Sequence, residues 1–82
     1  MRLHVEHVGA PDAAPMVLTH GGGDDSSTWA EQVPHLARRW RVTTWDLRGH
    51  GRSDRPEGVE HYDRSAALDD LRRVLALAGV DR

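Results

Sequence analysis

Residues 42–56 read VTTWDLRGHGRSDRP, and the fold is decided there. Val42, Thr43, Thr44 and Trp45 are β-branched or aromatic, which suits a buried strand. The apolar run stops at Asp46. Arg48, Gly49, His50 and Gly51 then open a long polar loop that continues to about Asp63 without periodicity. A strand that delivers such a loop places it at the carboxyl edge of a sheet, where ligands bind in open parallel sheets.

Upstream, Met16–Thr19 forms a second short apolar run, bounded by Pro15 and Gly21. It reads as a strand buried on both faces. His20, Gly21, Gly22 and Gly23 follow it, with Asp24 and Asp25 behind, and no helix could continue through them. Between the two strands, Thr28 and Glu31 have the form of a capping box. Trp29, Val33, Leu36 and Trp40 recur at helical spacing, so one face of a helix is expected over about 29–39. Pro34 should bend it or divide it in two. Nearer the start, Leu3 and Val5 alternate with polar neighbours, which predicts a strand over 2–8, and Gly9–Pro15 reads as a loop.

Downstream, Leu68, Leu71, Leu75 and Ala78 mark the apolar face of a last helix, with Ser65 as its expected cap. Asp69 and Asp70 precede Arg72 and Arg73, an order that suits the helix dipole. Gly79 is placed to end the helix in a left-handed conformation. The predicted order is strand, strand, helix, strand, helix. Two buried strands joined through a helix imply a parallel pair with a right-handed crossover.

Composition excludes several classes. The chain has 82 residues, so one domain is the ceiling, with a core that hides only about 60% of the unfolded surface. Eleven basic residues, all Arg, meet thirteen acidic ones, for a net charge of −2. That balance argues against a nucleic-acid or anionic-membrane binder. Leu and Val together are 16 of 82, near the level where disorder competes, but the net charge is too low to sustain it. Cysteine is absent, so no disulfide framework or Cys-based zinc site is expected. No signal-like or membrane-length apolar stretch occurs, and the cytoplasm is the expected location. Gly21–Gly23 lack the Lys and Ser/Thr of a phosphate-binding loop and run into Asp24 and Asp25, so no nucleotide is expected. His4 and His7 point to opposite faces of a strand, and His35 and His61 have no ligand spacing, so neither metal nor other cofactor is expected.

The strand followed by His20, Gly21, Gly22 and Gly23, with Trp29 behind and the Asp46–Asp54 segment after the next strand, resembles the N-terminal part of the α/β-hydrolase family. The resemblance runs from about Leu3 to Arg82. It implies the first strands and helices of that sheet, an incomplete parallel sheet here. It also implies that the loop after the first buried strand supplies an oxyanion hole. Acyl transfer places negative charge on a former carbonyl oxygen, and fixed backbone N–H groups stabilise it. In the family one donor comes from the residue after His-Gly, here Gly22, with Gly23 beside it. Glycines give that loop freedom and leave room for substrate. His20 and Gly21 then support the loop, since the family's catalytic base lies near its C-terminus. Asp46, Arg48, Gly49, His50 and Gly51 support the second loop, with Asp46 and Arg48 tying down free backbone groups.

The family's nucleophile sits on a G-x-S-x-G turn between strand and helix. None of Ser26, Ser27, Ser53 or Ser65 has the required glycines on both sides. Val80–Arg82 looks like the approach to the missing strand, so the chain is expected to stop before the nucleophile, acid and base. It should therefore be inactive alone, with a small-molecule substrate only in a longer protein. By resemblance the bond cleaved is an ester, lactone or amide. Epoxide hydrolysis and dehalogenation stay open, because similar N-terminal halves precede either Ser or Asp. The alternative is a binding or assembly module, in which Met16–Thr19 exposes a pairing edge for a second copy or a complementing chain.

Overall fold

Strand β3, Trp40–Trp45, is the centre of a three-stranded sheet with order β1-β3-β2. The computed structural model describes residues 1–80. Strand β1, Val5–Val8, runs antiparallel to β3, with Val5 opposite Trp45 and Val8 opposite Val42. Strand β2, Ala14–Thr19, runs parallel to β3, with Met16 opposite Val42 and Thr19 opposite Trp45. The expected parallel pair is therefore present, and the antiparallel β1 makes the whole sheet mixed. Because β3 has a strand on each side, Val42, Thr43, Thr44 and Trp45 are all buried.

β2 departs from expectation. It begins two residues earlier, at Ala14, and Met16–Leu18 are only half-buried. Its outer edge has no partner among the described residues, so burial on both faces is not achieved. Pro15 is tolerated there because an edge strand can spare a donor. β1 is shorter than expected at its start and begins at Val5.

The helix expected over about 29–39 is the largest correction. Ser26–Trp29 form a single 3-10 turn, and only Val33–Leu36 are α-helical (α1). Pro34 lies in the first turn of α1, where its missing N–H costs nothing, so the helix starts there and the earlier segment cannot join it. Thr28 and Glu31 form no capping box. Asp25 caps instead, its carboxylate accepting from the Ser27 N–H at 2.8 Å. Trp40 does not lie on a helix face. It opens β3 and is partly exposed.

Helix α2, Arg64–Ala78, packs against β2 and β3. Its cap is Asp63 rather than Ser65, and the Asp63 carboxylate accepts from the Ala66 N–H at 2.8 Å. The buried positions are Asp70, Val74 and Ala78, at four-residue spacing. Leu71 and Leu75 are half-buried, while Leu68 is 43% exposed and does not join the core. The inward face is thus rotated from the one expected, and a carboxylate occupies it. Gly79 ends the helix in the left-handed region as expected, and the Val80 N–H closes the cap on the Leu75 carbonyl at 2.9 Å. Arg41 donates to the Ala78 carbonyl at 3.2 Å, placing a cation at the helix C-terminus. The loop after β3, read as featureless, contains one further 3-10 turn at Val59–Tyr62. Asp81 and Arg82, expected to approach a further strand, lie outside the described residues.

Candidate active site

Two loops leave the carboxyl ends of the parallel pair side by side. The first, residues 20–25, follows β2, and the second, residues 46–54, follows β3. Their adjacency follows from the sheet order, because in-register parallel neighbours end at the same edge.

Two histidines join the loops in opposite directions. His20, 4% exposed, accepts the Leu47 N–H on Nε2 at 3.0 Å. His50, from the second loop, accepts the Gly23 N–H on Nε2 at 2.9 Å. An amide N–H can only donate, so both Nε2 atoms are bare and both rings carry the proton on Nδ1. Each Nδ1–H then donates to a carbonyl of its own loop, Gly21 at 2.7 Å for His20 and Arg48 at 3.0 Å for His50. The ring centroids are 5.2 Å apart. Both ring nitrogens of His20 are committed to these bonds, and neither is free to act as a base.

Gly21, Gly22 and Gly23 stand exposed beyond this clasp. Only Gly23 has a positive φ, +82°, and a Cβ at any of the three would meet nothing within 4 Å. Gly23, expected beside Gly22 as a donor, has its N–H committed to His50. The Gly22 N–H has no partner among the described residues. Next to it, the Asp24 N–H closes a turn on the Gly21 carbonyl at 3.2 Å.

Asp46 holds the base of the second loop. It is 2% exposed, and its carboxylate accepts from the Ser26 N–H at 2.6 Å and the Arg52 N–H at 3.0 Å. Burial works against the charge, but these donors, the Ser26 hydroxyl and nearby His4 outweigh it and hold the carboxyl below its ordinary value. Gly51 makes the cradle possible. Its φ is +48°, and a Cβ there would lie 2.5 Å from the Asp46 carboxylate. Asp46 thus ties the second loop to the start of the Ser26–Trp29 turn that follows the first.

Arg48 works differently. Its guanidinium clamps Asp70 of α2 with two bonds, Nε to Oδ2 at 2.7 Å and Nη2 to Oδ1 at 2.8 Å. Its Nη1 donates to the His61 carbonyl at 2.6 Å. The hydrogen bond to Asp70 raises the Arg48 pKa further above its ordinary value. Arg48 therefore ties the loop chiefly to a helix side chain. Gly49 donates to the Asp54 carbonyl at 2.8 Å and packs on the Tyr62 ring. Ser53 is buried. Its hydroxyl donates to the Asp46 carbonyl and accepts the His4 N–H at 2.9 Å. With both hydrogen-bonding directions used, it is a strut between the second loop and the chain before β1.

Asp70 and Ser53 are the site-supporting residues that sequence reasoning missed. Asp70 sits four and eight residues before Val74 and Ala78, a spacing that places it on the buried face. A cavity of about 490 Å³, lined by His4, Glu6, Ser26, Val33, Asp46 and others, lies between β1, β3 and the 26–34 segment. Gly22 does not line it, so the glycine loop and the cavity are separate features.

A family model described as alpha/beta hydrolase fold matches residues 14–82. The chain belongs to the alpha/beta hydrolase fold family. It is 37% identical over 83 residues to Epoxide hydrolase A of Mycobacterium tuberculosis, covering 100% of this chain and 26% of that protein. It is 39% identical over 75 residues to Probable oxidoreductase EphD of Mycobacterium bovis, covering 92% of this chain and 13% of that one. Among solved structures, a putative aryl esterase from Burkholderia cenocepacia superposes with a TM-score of 0.87 at 32% identity, over 95% of this chain and 29% of that one. The chain thus spans about a quarter of the first of these curated relatives and about an eighth of the second.

Proposed function

We propose that this chain supplies the oxyanion loop of a hydrolase for ester, lactone or amide bonds, with the Gly22 N–H as the donor. One observation carries the reading. The Gly22 N–H has no partner among the described residues, while the N–H groups of Gly23 and Asp24 beside it are bonded. A fixed and unspent N–H at the carboxyl edge of a parallel pair is what a developing oxyanion requires. Ser53 is a buried strut and does not serve as its nucleophile. Turnover therefore needs a nucleophile and base from elsewhere, and the chain alone is expected to be inactive. The greater length of the relatives supports this. The likeness to an epoxide hydrolase fits the same loop. A carboxylate nucleophile that opens an epoxide becomes an enzyme ester, and water attacking that ester again builds an oxyanion. The cytoplasmic location belongs to the same proposal; no helix among the described residues is long and apolar enough to cross a membrane.

The test uses the protein expressed through its natural stop codon, assayed with p-nitrophenyl acetate and styrene oxide. Gly22→Pro removes the N–H and should lower kcat roughly 10²–10³-fold on the accepted substrate. Gly22→Ala keeps the N–H, finds open space for its Cβ, and should retain most activity. Equal kcat in Gly22→Pro and the parent would refute the assignment.

The unpaired outer edge of β2 favours a second reading, a module completed by another strand, from a second copy or a complementing chain. Concentration-dependent association in size-exclusion chromatography, abolished by Val17→Pro, would support it. A folded, dispersed monomer at all concentrations would exclude it.

A further inference from the structure

We infer that His50, acting through the reciprocal clasp with His20, is a positioning residue that aims the Gly22 N–H, and that the clasp holds only while both imidazoles are neutral. The inference rests on the reading of Gly22 as oxyanion donor. His50 touches neither Gly22 nor any reacting group. It fixes the next peptide, by accepting the Gly23 N–H at 2.9 Å. That bond orients the Gly22–Gly23 peptide and takes up the N–H that would otherwise compete for the oxyanion. His20 closes the opposite bond to Leu47 at 3.0 Å, so each loop is anchored by a ring from the other.

Protonating either ring converts Nε2 from acceptor to donor, facing an N–H that also donates. The bond is then lost and replaced by repulsion. Two charged rings with centroids 5.2 Å apart would also repel each other. The groups that face the pair come from every packed element. Asp25 lies on the first loop and Asp46 at the foot of the second. Around the cavity that His50 borders stand Arg48, Tyr62, Asp63 and Asp70. Arg48 and Asp70 neutralise each other, leaving Asp25, Asp46 and Asp63 as the other carboxylates around the rings. Acidification therefore acts on the loop by a route separate from titration of a catalytic base.

The experiment uses the protein expressed through its natural stop codon, with ¹⁵N-histidine and amide labelling. Long-range proton–nitrogen correlation should show Nδ1–H with bare Nε2 for both His20 and His50. The Gly23 and Leu47 amide signals should shift together with ring protonation. His50→Gln offers a non-titrating acceptor and should keep Gly23 protected while removing the acid response of its amide. His50→Phe should speed Gly23 amide exchange roughly five- to tenfold. It should also lower kcat tenfold or more, with KM nearly unchanged. An Nε2–H tautomer at either ring in the parent protein would overturn the clasp, whether or not any variant folds. Unchanged Gly23 exchange in His50→Phe would do the same. Loss of kcat in Gly22→Pro but not in His50→Phe would overturn the positioning role and leave the oxyanion reading standing. Insensitivity of kcat to both substitutions would remove the oxyanion reading and the positioning role with it.

Discussion

Breaking the Arg48–Asp70 clamp should be far costlier one side at a time than both together. Asp70 is 3% exposed and Arg48 17%, and two bonds of 2.7 and 2.8 Å join them. Asp70→Leu leaves a largely buried guanidinium, 17% exposed, without its carboxylate, at a cost of about 3–5 kcal/mol. Arg48→Met strands the Asp70 carboxylate. Arg73, 3.9 Å away, compensates in part, so the loss there should be smaller, about 2–4 kcal/mol. The double variant removes both charges from the interior. The His61 carbonyl it frees is at an exposed bond, where water can replace Arg48. Its net loss should therefore be only about 1–2 kcal/mol, and the coupling between the two sites at least about 3 kcal/mol. Urea denaturation followed by tryptophan fluorescence reads this directly, since Trp45 is 1% exposed and must change environment on unfolding. Additive losses, with coupling below about 0.5 kcal/mol, would mean that the clamp is not a buried pair, and the account of how α2 is tied to the second loop would fail.

Three further outcomes follow from the site. Ser53→Ala should lower stability by about 1–3 kcal/mol, because it removes a donor to Asp46 and leaves the His4 N–H unpaired; kcat per folded molecule should not move, and a selective loss of turnover would make Ser53 a reacting group. Gly51→Ala forces a Cβ against the Asp46 carboxylate at a positive φ, and should cost about 2 kcal/mol or more by thermal or chemical denaturation. For Asp46 the folded carboxyl titrates below its ordinary value of 3.8, so its contribution is fully present above that pH and is lost as the pH falls through the lowered value. Stability measured from pH 6 to pH 2 should therefore fall more steeply in the parent than in Asp46→Asn; parallel curves would show that the carboxylate charge is not what the cradle holds.

Much of the architecture was legible because its signals are local. An apolar run bounded by Pro15 and Gly21 marked β2, a β-branched and aromatic run marked β3, and their separation by a helical segment fixed them as a parallel pair. Two polar, glycine-bearing loops after those strands had to share one edge. Gly79 ended α2 for a reason contained in its own backbone. The resemblance rested on the glycine loop and the Asp46–Ser53 motif, and the family model matches residues 14–82.

Contacts between distant parts of the chain were decided by the tertiary structure. Thr28 and Glu31 have the right types for a capping box, yet Asp25 caps the turn, and the preceding Ser26 N–H is bonded to Asp46, 20 residues away. Asp70 reads in sequence only as an early helix charge suited to the dipole, and in the structure Arg48 reaches it across 22 residues. His20 and His50 each look like a lone histidine in a glycine-rich loop. Their roles follow from bonds to Gly23 and Leu47, each 27 residues away, and these form only because β2 and β3 are neighbours in register. Sequence periodicity reports which face of an element is apolar. Which polar atoms meet depends on how the sheet orders its strands, and that order is set by long-range pairing.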